Sequence, residues 1–227
     1  MCFSATASFG AAAALGTIGT VSVIKAGTPS RIPFALIPLL FGLQQVSEGV
    51  LWLSLTHQNL YAWKIPATYF FLFFAQFFWT WWIPFSVYRM EEDPKRQKWL
   101  FGLFFIGLCC SAMLGYRLIL YGSFAGIEQN HIYYDIGSTE VLTVLSSTCY
   151  VIAIIVPFFV SSVPKMRWLA CLLVVSLLAT RFFYKAYFIS VWCFFAALLS
   201  ISIIYVLSVR RHKTTPGSPV PHSHGGS

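Results

Sequence analysis

Long apolar runs alternate with short polar segments along this chain, and the alternation predicts its architecture. A helix needs about 20 predominantly apolar residues to cross a bilayer, and seven runs meet that requirement. They cover residues 7–24, 32–55, 65–87, 99–121, 141–163, 168–184 and 187–209. The sequence therefore predicts an all-α, polytopic integral membrane protein with seven transmembrane helices.

The basic residues between these runs predict the orientation in the membrane. Lys and Arg are enriched in the cytoplasmic loops of membrane proteins. In this chain they concentrate in the first, third and fifth loops and after the last run, at Lys25, Arg31, Arg89, Lys95, Arg96, Lys98, Lys165, Arg167, Arg210, Arg211 and Lys213. We expect these segments to share the cytoplasmic side, with the N-terminus outside and the C-terminus cytoplasmic.

Composition supports a membrane location and argues against a nucleic-acid partner. Hydrophobic residues make up 58% of the chain and charged residues only 10%, against roughly 25% charged residues in soluble proteins. The net charge of +8 comes from residues at the ends of apolar runs, so we assign it to orientation. The expected partner is the lipid bilayer.

The chain is expected to form one domain with a short tail. Residues 1–211 make up the seven-helix transmembrane domain, and residues 212–227 form a cytoplasmic tail rich in Thr, Pro, Gly, Ser and His. A segment of that composition buries too little apolar surface to order itself, so we predict that the tail is disordered. The longest loop, residues 122–139, has room for a short surface helix.

The second predicted helix carries unexpected polar residues. Gln44, Gln45 and Glu48 lie within its apolar run, and Trp52 follows one turn after Glu48. Residues three and four apart share a helix face, so these side chains can line one side of the helix. Ionisable groups inside a membrane are costly and often functional. The spacing predicts a polar pocket centred on Glu48, in the outer half of the membrane.

Other helices supply candidate partners for Glu48. Arg117 and Arg181 are expected near the outer ends of the fourth and sixth helices, and Gln76 lies near the centre of the third. Either arginine could neutralise Glu48. Such an ion pair would either line a binding pocket or serve only to hold the helices together. A buried ion pair often adds little net stability, so both alternatives remain open.

Cys2 is a separate candidate at the outer end of the bundle. The small residue after Met1 favours removal of the initiator, which would expose an N-terminal cysteine. Its amine and thiol could together bind a metal or attack an electrophile. The alternative is an inert cysteine beside the start codon.

Two motifs resemble an uncharacterised family of bacterial multi-pass membrane proteins. One is the opening Met1-Cys2-Phe3-Ser4-Ala5-Thr6-Ala7-Ser8-Phe9, and the other is Gln45-x-x-Glu48-Gly49-x-x-Trp52 in the second helix. The resemblance implies a membrane location and raises interest in Cys2, but it implies no particular activity. The family pattern has His where this chain has Gln44. Since an amide is a poor ligand for soft or borderline metals, that difference argues against a metal there.

These features favour binding or transport of a small molecule or ion over catalysis. The alternative is a membrane-embedded enzyme that uses Cys2 and Glu48, with or without a metal. No predicted span contains His, and no motif identifies a metal site or a cofactor. A seven-helix receptor is a third alternative. A retinal pigment is disfavoured, because Lys185 lies at the outer edge of the last helix and the rest of that helix has no lysine.

Overall fold

The computed structural model describes residues 4–137 and 139–208. Cys2 and the predicted tail of residues 212–227 therefore lie outside the described residues. The described chain forms ten α-helices. They are α1 (Ala5–Lys25), α2 (Ile32–Ala35), α3 (Ile37–Thr56), α4 (Lys64–Leu72), α5 (Trp79–Met90), α6 (Pro94–Tyr121), α7 (Glu140–Val160), α8 (Met166–Phe183), α9 (Phe188–Ser200) and α10 (Ile203–Ser208).

Seven helical segments are long and apolar enough to cross a membrane. They are Ala5–Lys25, Pro29–Thr56, Gln58–Met90, Pro94–Tyr121, Glu140–Val160, Met166–Phe183 and Lys185–Ser208, and we refer to them as the first to seventh spans. Each overlaps one predicted run, so the prediction of seven apolar helices is confirmed for the described part of the chain. Membrane insertion and orientation stay predictions.

The second, third and seventh spans are interrupted rather than continuous α-helices, and the seventh is broken at residues 201–202, between α9 and α10. The second span breaks at Leu36, between α2 and α3, and Pro38 then occupies the first turn of α3, where its missing N–H is tolerated. The third span passes from α4 through a π-helical segment, Phe73–Phe78, into α5. Single turns of π-helix inside α-helices are frequent at functional sites, and Gln76 lies in this one.

The loop between α6 and α7 forms a β-hairpin, so the short surface helix expected there was wrong. Strand β1 (Ser123–Glu128) pairs with the antiparallel strand β2 (His131–Ile136). The turn residues Gln129 and Asn130 have φ of 47° and 61°, a conformation that hairpin turns require at both central positions. Six residues of each strand pair across the turn, so the backbone hydrogen bonds of this loop form between two strands rather than within a helix.

The hairpin covers one end of the bundle, which we call the hairpin end. Ala125 and Ile132 of the hairpin pack with Leu51, Trp52 and Ala67 in a small buried cluster. The hairpin therefore lies over the last turns of α3, one turn beyond Glu48.

Helix α1 packs closely along α3 because glycines lie at the interface between the two helices. A Cβ atom on Gly49 would lie 2.8 Å from Cζ of Phe9, and one on Gly42 would lie 3.3 Å from the carbonyl oxygen of Ala12. Small residues permit this close approach between helices that lack a hydrophobic driving force in lipid. As a result, α1 covers one side of α3 and helps to exclude solvent from the residues next to Glu48.

Candidate functional site

The polar residues of α3 are buried in the centre of the protein. Gln44, Gln45 and Glu48 are fully buried, and Trp52 is 6% exposed. Their spacing of three, four and seven residues places them along one stretch of the helix. The structure thus brings together the four α3 residues that the sequence proposed, and we call them the α3 polar cluster.

Two hydrogen bonds connect this cluster to other spans. Ser190 Oγ of α9 donates to Glu48 Oε1 over 2.5 Å, and Trp79 Nε1 of α5 donates to Gln44 Oε1 over 2.8 Å. Trp79 also stacks on Phe41, with ring centroids 4.1 Å apart. These contacts tie the second span to the third and the seventh.

Several polar atoms of the cluster lack a hydrogen-bond partner among the described residues. They are Gln44 Nε2, Gln45 Nε2, Gln45 Oε1, Glu48 Oε2 and Trp52 Nε1. Buried polar groups are nearly always paired, and an unpaired one costs about 1–3 kcal/mol. The Gln45 side chain also adjoins Glu48, and Gln44 adjoins Cys193 of α9, so the five atoms form a polar group within about two turns of one helix that has capacity left for a ligand.

Neither arginine forms an ion pair with Glu48 in the part of the chain that the structure describes. Arg117 donates to the carbonyl oxygens of Ile136 and Gly137 and to Ser146 Oγ, at 3.1, 3.4 and 3.4 Å respectively. Arg181, in the last turn of α8, is exposed. Glu48 therefore lies buried without a cationic side chain to balance its charge.

Arg117 and Gln76 do share a space, although it is not the surroundings of Glu48. Both line a cavity of about 170 Å³ bordered by α6, α7 and α9. Helix α9 lies between this cavity and the α3 polar cluster: Ser190 contacts Glu48 and Trp192 lines the cavity, whereas Cys193 lines the cavity and also adjoins Gln44. The single pocket expected from the sequence is replaced by two neighbouring polar regions.

Ser190 contacts Glu48 but was not predicted from the sequence. It is fully buried in α9, 142 positions after Glu48. A lone serine in an apolar helix is common, so its sequence context gave no signal. Only the packing of the seventh span against the second identifies it as the partner of Glu48.

A second buried carboxylate, Glu91, belongs to the charged loop that follows α5. It is 3% exposed and lies between α5 and α6. Its oxygens accept hydrogen bonds from the hydroxyl and backbone N–H of Ser162 and from the hydroxyl of Ser161, and also from two backbone N–H groups of its own loop. This network joins the α5–α6 loop to the segment after α7.

The charge of Glu91 is stabilised by these contacts. Burial raises the pKa of the carboxyl, but the hydrogen bonds from Ser162, the Asp93 backbone and Ser161 outweigh that effect and hold the pKa below its usual value. Because donors surround the charged form, the network is strongest when Glu91 is ionised. The exposed Asp93 nearby begins α6 by accepting from the backbone of Lys95 and Arg96.

The described residues contain no group of three or more His, Cys, Asp or Glu side chains able to hold a metal ion. The donors around Glu48 are instead carboxylate, amide and hydroxyl oxygens, which suit hard cations rather than soft metals.

A family model described as a family of unknown function, DUF6629, matches residues 1–218. No curated protein and no solved structure matches the chain.

Proposed function

The chain belongs to the DUF6629 family of unknown function, and we propose that it is a multi-pass membrane protein that binds a monovalent cation at Glu48. The cation is an alkali metal ion or the ammonium group of a small molecule. The observation that carries this proposal is the fully buried Glu48 carboxyl, whose Oε2 lacks a partner among the described residues.

Electrostatics favours a cation over a neutral ligand at this position. An isolated carboxylate is expensive to bury, and among the described residues Ser190 and Gln45 supply only neutral hydrogen-bond donors to Glu48. A bound cation would contact Glu48 Oε2 and the unpaired Gln45 Oε1. Divalent ions usually recruit more carboxylates, so a single charge suits a site with one carboxylate.

The unpaired donors of the cluster extend the site toward a larger ligand. Gln44 Nε2, Gln45 Nε2 and Trp52 Nε1 can donate to hydroxyl or carbonyl oxygens. A small amine that also carries such an oxygen would use both the acceptors and the donors. This supports binding or transport as the activity.

The location and orientation proposed here rest on the chain's basic residues. The last turn of α5 contains Arg89, and the first turns of α6 contain Lys95, Arg96 and Lys98. Lys165 lies between α7 and α8, and Arg167 lies in the first turn of α8. The positive-inside rule supports placing those loops in the cytoplasm, with the hairpin end outside. The resemblance to bacterial multi-pass proteins supports the inner membrane.

Thermal unfolding of the purified protein in detergent tests the cation site. At constant ionic strength, Na⁺, Li⁺, K⁺ and methylammonium are compared with the bulky cation N-methylglucamine. A ligand that binds only the folded state at 100 times its Kd adds about 2.7 kcal/mol of stability, so one of the small cations should raise the Tm. Glu48→Gln should abolish that increase.

The matched control is Glu140→Gln, which removes an exposed carboxylate at the start of α7 and should keep the response. A wild-type Tm that is the same in all five salts would contradict the proposal, as would an unchanged response in Glu48→Gln. Uptake of the effective cation into reconstituted vesicles then distinguishes a carrier from a binding protein.

A further inference from the structure

The cavity bordered by α6, α7 and α9 combines a charged group with apolar walls. Its volume of about 170 Å³ is close to the roughly 150 Å³ of an engineered cavity that accepts benzene. Arg117, Gln76 and Ser146 contribute polar atoms to its lining, whereas Phe188 and Trp192 contribute aromatic rings. A space of this kind fits a small molecule with one polar end and one apolar end.

Arg117 supplies an uncompensated positive charge to this cavity. Its three hydrogen bonds, at 3.1–3.4 Å, go to two carbonyl oxygens and one hydroxyl, all of them neutral. Within the described residues it forms no ion pair. A guanidinium has five N–H donors, so two remain for a ligand, and a planar carboxylate is the group that such donors pair with best.

Gln76 adds a second directed polar group. It lies in the π-helical segment Phe73–Phe78, and its amide has no hydrogen-bond partner among the residues with described positions. The change of helical pitch alters which side chains face the neighbouring helices, and it leaves Gln76 lining the cavity that Arg117 also lines. The amide can donate to the second oxygen of a carboxylate or accept from a hydroxyl.

We propose that this cavity binds a small amphiphilic monocarboxylate, with the carboxylate on Arg117 and its aromatic or short aliphatic body against Phe188 and Trp192. The volume suits a single ring or a short chain and is far too small for a diacyl lipid. This site goes beyond the proposed cation site, because Glu48 does not line it and a different side chain carries its charge.

Isothermal titration of the purified protein with benzoate tests the proposal, with benzamide as the neutral analogue of the same shape. The wild type should bind benzoate at least tenfold more tightly than benzamide. Arg117→Gln should remove at least tenfold of the benzoate affinity. The control Arg181→Gln changes an exposed arginine outside the cavity and should bind benzoate like the wild type.

Arg117 also donates to the end of β2, so misfolding of Arg117→Gln would itself reduce benzoate binding. A second variant therefore leaves Arg117 in place. Val151→Phe keeps Arg117 and adds a ring into the cavity that Val151 lines, so it should also lose at least tenfold in benzoate affinity. Equal wild-type affinities for benzoate and benzamide would overturn the proposal, and so would wild-type benzoate binding by Val151→Phe.

One more variant tests whether benzoate binding is independent of the proposed cation site. Glu48→Gln should bind benzoate within twofold of the wild type, even if the cation site proves wrong. Loss of benzoate binding in Glu48→Gln together with its retention in Arg117→Gln would move the anion to the α3 polar cluster and overturn this assignment.

Discussion

The carboxyl of Glu48 and the hydroxyl of Ser190 join the second span to the seventh through a 2.5 Å hydrogen bond. Both side chains are fully buried, and they are separated by most of the chain. Because this hydroxyl donates to a buried carboxyl, the packing of α9 against α3 should be sensitive to its loss. The relationship leads directly to the first prediction.

Ser190→Ala should lower the free energy of unfolding by about 1–3 kcal/mol, the usual cost of leaving a buried polar group without its partner. Reversible unfolding in mixed detergent micelles measures the change. The matched control is Ser200→Ala on the same helix, because the Ser200 hydroxyl donates only to the Ala197 carbonyl oxygen of α9 itself. That variant should lose about 0.5 kcal/mol or less.

A double-mutant cycle identifies the source of the Ser190 effect. With Glu48→Leu as background, Ser190→Ala should cost about 0.5 kcal/mol or less, because the carboxyl that needs the hydroxyl is gone. An equal cost in both backgrounds would show that Ser190 acts through something other than Glu48.

Glu91 lies at the end of the bundle opposite the hairpin end, and it should make the stability of the protein depend on pH. Its folded-state pKa lies below the usual value, so its stabilising contribution is complete above the ordinary pKa of a glutamate. That contribution is lost as the pH falls through the folded-state pKa. The Tm should therefore decrease on acidification, and the decrease should be smaller in Glu91→Gln.

At neutral pH, Glu91→Gln should also destabilise the protein by about 2 kcal/mol, because an amide replaces an ionised acceptor of several hydrogen bonds. The exposed Glu128 provides the control, and Glu128→Gln should keep both the wild-type Tm and its pH dependence. If the Tm of Glu91→Gln follows the wild-type pH profile, Glu91 is not the source of the pH dependence.

Two glycines of α6 provide a direct test of the packing between α5 and α6. A Cβ atom on Gly107 would overlap the carbonyl oxygen of Thr80, whereas one on Gly102 would have nothing within 4 Å. Gly107→Ala should cost about 1–3 kcal/mol or more, since backbone must move to relieve the overlap. Gly102→Ala should be neutral or stabilising by up to about 1 kcal/mol through helix propensity.

Titration with a denaturing detergent measures the free energy of unfolding of both alanine variants under identical conditions. Similar stabilities would mean that α5 and α6 separate more easily than the close contact between Gly107 and Thr80 implies.

The proposed orientation predicts a specific labelling pattern. In a cysteine-free variant, Glu128→Cys in the hairpin turn region should react with an impermeant thiol reagent in intact cells. Lys95→Cys, at the start of α6, should react only after the membrane is permeabilised, because its loop belongs to the basic side. The reverse pattern would invert the topology, and labelling of both positions in intact cells would contradict a seven-span arrangement.

The sequence by itself determined the seven apolar helices and the four polar positions of the second one. Helix length and apolar content depend on consecutive residues, and the side chains of Gln44, Gln45, Glu48 and Trp52 share a face because of helical periodicity. These are local properties that need no tertiary contact. The opening motif with Cys2 was equally visible, although Cys2 lies outside the described residues.

Tertiary structure decided what those residues contact. Packing of α9 selected Ser190 over either arginine as the partner of Glu48, and the β-hairpin, which replaced an expected helix, supplied the carbonyl oxygens that Arg117 contacts. Helix α9 divides the expected pocket in two, with Glu48 on one side and Arg117 and Gln76 on the other. Contacts between residues far apart in sequence depend on how whole helices fit together, so neither periodicity nor charge pattern could specify them.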